Sequence, residues 1–73
     1  LVNIAESGGV ITEVQQIMFD FSANADESYI REKYRDIIVI YNQALAGILQ
    51  VDPDSVTGIV INPPSGIAVI FQK

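Results

Sequence analysis

The feature that most constrains this chain is a long amphipathic helix, predicted for Ala25 to Leu49. Its apolar side chains recur at spacings of three and four residues, which gathers them on one face at about 100° per residue. A helix with such a stripe needs an apolar partner surface, and strands on either side of it can supply one. The stripe predicted to face the core consists of Ile30, Tyr34, Ile37, Ile38, Tyr41, Leu45, Ile48 and Leu49.

The segment before the helix, Val10 to Ser22, has the pattern of a strand. Its second half alternates around Phe19 and Phe21, which is the period-two pattern of a half-buried strand. Asp20 lies between these two aromatic residues, and we therefore expect its side chain to point to solvent. The alternation slips further upstream, so either the strand begins near Gln15 or a bulge interrupts it.

Two strands are predicted after the helix, Val56 to Asn62 and Ile67 to Phe71, joined by a short connection that contains two prolines. The last strand has no polar residue, which is typical of a central strand that is covered on both faces. We therefore expect it to insert between the other two, in the order one-three-two of a split β-α-β-β unit. For residues 1–9 the sequence predicts an edge strand followed by a flexible turn.

The predicted fold class is α+β. One long helix packs on a mainly antiparallel sheet of three to four strands, which amounts to half of a ferredoxin-like fold. The 73 residues are long enough for one small domain, so residues 1–73 are taken as a single unit.

The helix start is marked by Asn24 and Asp26, either of which can accept a hydrogen bond from the free amides of the first turn. Within the first half, Glu27 and Arg31 stand four residues apart in the favourable order for an ion pair. The acidic residues Asp26 and Glu27 are therefore interpreted as capping and ion-pairing groups.

The composition argues against several chemistries. The chain has no Cys and no His, which removes thiolate ligands and the commonest general base. Asp20 near Asp26 is the one acidic pair that suggests catalysis, and nothing there positions a substrate. Asp52 and Asp54 flank a proline and fit a turn better than a calcium loop. We therefore expect no enzymatic activity, no cofactor, no metal and no small-molecule substrate.

The net charge of −5 also bears on partners. Three of the four basic residues lie between Arg31 and Arg35, whereas a polyanion needs cationic side chains spread over a surface. Nucleic-acid binding is therefore disfavoured. Membrane insertion is not expected either, since no apolar run approaches the roughly 20 residues of a spanning helix.

From Ile17 to Phe71 the order of signals resembles that of SEA domains and related extracellular ferredoxin-like modules. The similarity lies in the apolar strand at Ile17, the helical Tyr41-to-Leu45 segment, the polar turn before Val56 and the Ser65-Gly66 step before the last strand. It implies an extracellular or surface module. Many SEA domains cleave themselves at a Gly-Ser step, but the order here is Ser-Gly, so self-cleavage is not implied.

The second half of the helix, from Ile37 to Gln50, carries no charge. Val39 and Ile40 lie away from the predicted core stripe, where they are either ordinary exposed residues or part of a contact. The sheet face opposite the helix is predicted to carry either Ala68 and Ile70 or the alternate residues of the same strand. The hypothesis is a protein partner or self-association at an interface formed by Val39, Ile40, Ala68 and Ile70. The alternative is an autonomous extracellular spacer domain.

Overall fold

A computed structural model describes residues 1–71. The described chain contains one long helix, one 3₁₀ turn and four strands. In chain order these are β1 (Val2–Ser7), β2 (Val10–Phe19), α1 (Glu27–Leu49), the turn Pro53–Ser55, β3 (Val56–Asn62) and β4 (Ile67–Phe71). The helix packs on one face of a single mixed sheet, which confirms the predicted α+β class.

The strand order is β1-β2-β3-β4, so the last strand lies at an edge and not in the centre. β2 and β3 are direct parallel neighbours, in register from Val14 opposite Val56 to Phe19 opposite Ile61. The predicted order one-three-two is therefore wrong. β4 is apolar on both faces because one face packs on the core and the other belongs to an open apolar surface, not because strands flank it on both sides.

The helix ends follow from local chemistry. Asp26 is the N-cap, and its carboxylate accepts from the Tyr29 amide at 2.8 Å. The predicted ion pair is present, with Arg31 Nε 2.8 Å from the Glu27 carboxylate. At the other end Gln50 adopts the left-handed conformation, and its N–H bonds to the Ala46 carbonyl, which is how many helices terminate.

The buried line of α1 is narrower than the predicted stripe. Its buried residues are Ile30, Tyr34, Ile38 and Ala46, mostly four residues apart. Leu45 and Leu49 pack at the margin of the core, as predicted. Ile37, Tyr41 and Ile48 do not; they are 40%, 48% and 77% exposed. A helix that lies on a sheet buries only the side chains that point towards the sheet. Because the apolar stripe of α1 is wider than its buried line, part of the stripe stays exposed on one flank of the helix.

The two ends of the core are separate clusters. The larger one is formed by Ala25, Ile30, Tyr34, Ile38, Val60 and Val69, and the smaller by Val14, Ala46 and Val56. Between them the helix comes very close to the sheet at Gly58. A Cβ at this position would lie 2.6 Å from Ile38 Cγ2. Gly58 therefore sets the distance at which α1 packs.

The β1–β2 hairpin extends beyond the rest of the sheet. Its turn is Gly8-Gly9, where both residues have positive φ, a conformation that glycine adopts without steric cost. β3 begins to pair with β2 only at Val14, so residues 5–13 form a two-stranded ribbon. All but Ile11 in this ribbon are exposed.

Candidate interaction surfaces

The sheet face opposite the helix carries two apolar cross-strand rows, beside a polar row of Asn3, Gln15 and Thr57. Leu1 exchanges backbone hydrogen bonds with Ile17, Ile17 lies opposite Ile59, and Ile59 lies opposite Ile70. These four residues form one cross-strand row. Phe19, Ile61 and Ala68 form the next row. We call these seven residues the open sheet face.

Neither row contains a charged residue, although the chain has nine acidic and four basic side chains. Phe19 and Ile70 are each half exposed, so no element within residues 1–71 covers this face. An apolar surface of this extent on a small chain is typical of a contact region.

The four predicted interface residues lie on two surfaces. Ala68 and Ile70 belong to the open sheet face, whereas Val39 and Ile40 lie on α1, on the other side of the sheet. All four are exposed. The structure therefore does not bring the helix pair and the strand pair together, and a single flat partner surface cannot contact both.

A small cavity lies beside Val39, between α1 and the ends of β3 and β4. Its volume is about 160 Å³, and its walls include Ile38, Asn42, Val56 and Phe71. Pockets for drug-sized ligands usually begin at roughly 300 Å³. The size of this cavity therefore gives little support to a small-molecule site.

Asp20 is buried and its carboxylate accepts four hydrogen bonds, so it does not point to solvent as predicted. It is 3% exposed. One carboxylate oxygen accepts from the Tyr34 hydroxyl at 2.5 Å and from Lys33 Nζ at 2.9 Å. The other accepts from Asn62 Nδ2 at 2.7 Å and from the Ser22 amide at 2.9 Å. These five residues are called the Asp20 clamp.

The clamp forms where the two parallel strands end. Asp20 follows β2, Asn62 is the last residue of β3, and the Asp20 amide donates to the Ile61 carbonyl at 2.9 Å. The side-chain oxygen Oδ1 of Asn62 in turn accepts from the Ser65 amide and hydroxyl. The clamp thus ties together the end of β2, the helix and the β3–β4 connection.

Lys33 completes the clamp from the solvent side. Its ammonium lies 5.5 Å from the Tyr29 ring centre and 5.4 Å from that of Tyr34, within range of cation–π attraction. It also donates to the Ser22 hydroxyl. The two rings therefore hold the cation directly over the Asp20 carboxylate.

These contacts shift the ionisation of the clamp. Hydrogen bonds from Tyr34 and then Lys33 hold the pKa of the Asp20 carboxyl well below its usual range. The hydrogen bond to Asp20 raises the pKa of Lys33, and burial raises the pKa of Tyr34. An acid that stays ionised and fully hydrogen-bonded is a structural group and not a proton donor at neutral pH.

The depressed pKa of Asp20 makes the stability of the fold sensitive to acid. A carboxyl group whose folded pKa lies below its unfolded value stabilises the fold above that unfolded value, about 3.9 for Asp. This contribution is lost as the pH falls further. We expect the free energy of unfolding, measured with urea, to fall more steeply below about pH 4 in the native chain than in Asp20→Asn. Equal slopes would contradict this result.

The sequence does contain a signal for the clamp that the alternation of Phe19 and Phe21 obscures. Asp20 stands at the end of a strand immediately before a helix, and Lys33 and Tyr34 lie on the first turns of that helix. Carboxyl ends of adjacent parallel strands meet at one edge of a sheet. What the sequence does not provide is the pairing of Asp20 with Asn62, 42 residues away.

No protein-family model matches the chain, and no curated protein or solved structure matches it either. Within residues 1–71 no group of three or more acidic, His or Cys side chains is placed to hold a metal ion. Among the same residues, α1 is not apolar enough over its length to cross a membrane.

Proposed function

We propose that this chain is a non-catalytic interaction module that docks on a different protein through its open sheet face. The observation that carries the proposal is the uncharged apolar surface formed by the cross-strand rows through Ile59 and Ile61. Because no charge interrupts it, the face can be dehydrated without leaving an unpaired ion. The partner surface that fits is itself apolar and uncharged.

The Asp20 clamp supports a non-catalytic function. The carboxylate already accepts four hydrogen bonds from protein groups, so it has no free position for a substrate proton. The proposed role of the clamp is to hold β2, β3 and α1 in a fixed arrangement. A rigid sheet presents its open face in one shape, which lowers the entropy cost of docking.

Val39 and Ile40 are proposed as a second contact on the helix side. Both side chains are exposed in the uncharged half of α1. Val39 also lines the small cavity. They face away from the open sheet face, so they would contact a different part of a partner, or a different partner. Val39→Glu is expected to weaken that contact and to leave the fold intact, since the side chain is 48% exposed.

The docking proposal is tested by site-specific photo-cross-linking of the full-length protein in its own cells. A photoreactive side chain at Ile70 is expected to cross-link to one protein of defined mass. The control is the same group at Glu32, an exposed position in the charged half of the helix, where no such product should form. Adding Phe19→Lys to the Ile70 variant is expected to reduce the yield at least about tenfold, since a buried unpaired cation costs several kcal/mol.

The control for this experiment is the thermal stability of the Phe19→Lys variant. Phe19 is half exposed, so Phe19→Lys is expected to leave the melting temperature within a few degrees of the native value. A cross-link at position 70 that is insensitive to Phe19→Lys, or one that forms equally at position 32, would overturn the proposal.

The second candidate is an autonomous spacer domain, in line with the resemblance to SEA-like modules. The observation that favours it is that two apolar clusters and the Asp20 clamp all form within residues 1–71. A spacer needs no docking surface. It predicts that Phe19→Lys has no effect on any association of the full-length protein, which is the opposite of the result expected above.

A further inference from the structure

A second apolar line runs along α1, on the flank that the sheet leaves open. Ile37, Tyr41, Ala44 and Ile48 follow one another at spacings of four, three and four residues. This is the spacing of a coiled-coil seam, in which an average repeat of about 3.5 residues keeps the side chains in one line. All four are exposed, and we call them the flank seam.

The flank seam lies on the β1 side of the helix. The opposite flank is fixed on the β4 side, because Arg31 donates to the Ile70 carbonyl and Val39 lines the cavity with Phe71. Next to the seam, β1 places Val2 opposite Gln16 and Ile4 opposite Val14, so both point to the helix side of the sheet. They are 42% and 46% exposed. Seam and strand border a mainly apolar trough, with Gln16 of β2 between them on the same side of the sheet.

We propose that this trough receives α1 of a second copy, so that the two helices pair in antiparallel about a two-fold axis. The seam is self-complementary in that arrangement. With the axis midway between Asn42 and Gln43, Ile37 of one copy faces Ile48 of the other, and Tyr41 faces Ala44. A two-fold contact requires such reciprocal pairs, and a large side chain opposite a small one packs well.

Charge favours the same arrangement. The two copies overlap between Ile37 and Ile48, a stretch about 18 Å long at 1.5 Å per residue. This is the part of α1 that carries no charge, while the charged residues 27–36 extend beyond each end of the overlap. Two chains of net charge −5 therefore meet where their mutual repulsion is smallest. The dipoles of two antiparallel helices also point in opposite directions, which makes their electrostatic interaction favourable.

The contact is small. A helix overlap of this length with Val2 and Ile4 beneath it buries less than the roughly 800 Å² per partner of a standard interface. We therefore expect a reversible dimer that dissociates in the micromolar range. It uses a different surface from the open sheet face, so either interaction can exist without the other.

The test is absolute molar mass by light scattering over a dilution series of the full chain. The native chain is expected to pass from dimer to monomer. Ile48→Glu is expected to raise the midpoint concentration at least about tenfold, because it places two carboxylates in the dehydrated seam. At 77% exposure the side chain contributes little to the core, so the variant should remain folded. The matched control is Gln43→Glu, which adds the same charge at an exposed position on the cavity flank of α1 and should leave the midpoint unchanged.

A pair of size changes tests the antiparallel register. Ala44→Tyr alone places tyrosine against Tyr41 and is expected to weaken the dimer. The double variant Tyr41→Ala with Ala44→Tyr restores a large residue opposite a small one and is expected to recover it. A monomer at every concentration would overturn the proposal, as would a dimer unaffected by Ile48→Glu. A dimer abolished by Ile70→Lys would instead assign self-association to the open sheet face.

Discussion

Replacing Asp20 with Ala is expected to lower the free energy of unfolding at neutral pH by about 1–3 kcal/mol, the usual cost of a buried polar group that loses its partner. The change removes the acceptor for the buried Tyr34 hydroxyl and the carboxylate that pairs with Lys33. Asn62 Nδ2 keeps the backbone carbonyls of Asp20 and Ser22 as acceptors, so it is not left without a partner. A single core in a chain of this size supplies only about 3–5 kcal/mol, so the expected loss is a large part of the total.

The matched control for this experiment is Asp36→Ala. It makes the same chemical change on a side chain that is 89% exposed, where substitutions usually alter stability by less than about 0.5 kcal/mol. Both variants are compared with the native chain by urea unfolding followed with circular dichroism. Tyr34→Phe is expected to fall between them, since it removes one donor and leaves the carboxylate its other three. A loss for Asp20→Ala no larger than that for Asp36→Ala would show that the clamp does not stabilise the fold.

Replacing Gly58 with Val is expected to destabilise the fold by about 3 kcal/mol, at the upper end of the usual cost of overpacking. Strand propensity alone predicts the opposite sign, because a β-branched residue replaces glycine within a strand. The closest approach of α1 decides the outcome. A Cβ here would meet Ile38 Cγ2 at 2.6 Å and Cδ1 at 3.0 Å, so the buried Ile38 side chain or α1 itself must shift to admit it.

Thr57→Val is the control for this substitution. It places the same residue at the neighbouring position of β3, whose side chain points to the open sheet face, and is expected to be neutral or slightly stabilising. The free energy of unfolding is measured for both in urea. Equal values for the two variants would show that α1 can move away from the sheet without cost.

The elements of this fold follow from its sequence, but their arrangement only partly does. The helix and three strands lie close to the predicted ranges because each is specified by a local period of apolar residues. The orientation of β2 is not local. Its phenylalanines indicate one face as the core, yet Val14 and Asp20 share the buried face while Phe19 is half exposed. The donors that make burial of Asp20 favourable lie on α1 and at the end of β3.

Which apolar side chains are covered is only partly predictable from the sequence, for a related reason. An apolar side chain indicates that a position is covered, but not what covers it. Ile70 on β4 and Ile37 on α1 both have the pattern of core residues, and the structure leaves both exposed. The sequence pattern therefore predicts that β4 lies in the centre of the sheet and that Ile37 lies on the face of α1 that packs on the sheet. The surfaces that remain uncovered are the ones for which partners are proposed.

The ribbon that extends beyond the sheet divides β2 between two parts of the molecule. Its last residues, from Val14 to Phe19, pair with β3, so the backbone amides that bond to β3 are expected to exchange with solvent mainly when the whole domain opens. Its first residues pair with β1 alone, and a two-stranded hairpin is only marginally stable by itself. One continuous strand thus belongs to two cooperative units, and the free energy of local opening rises along it from the Gly8-Gly9 turn towards Asp20.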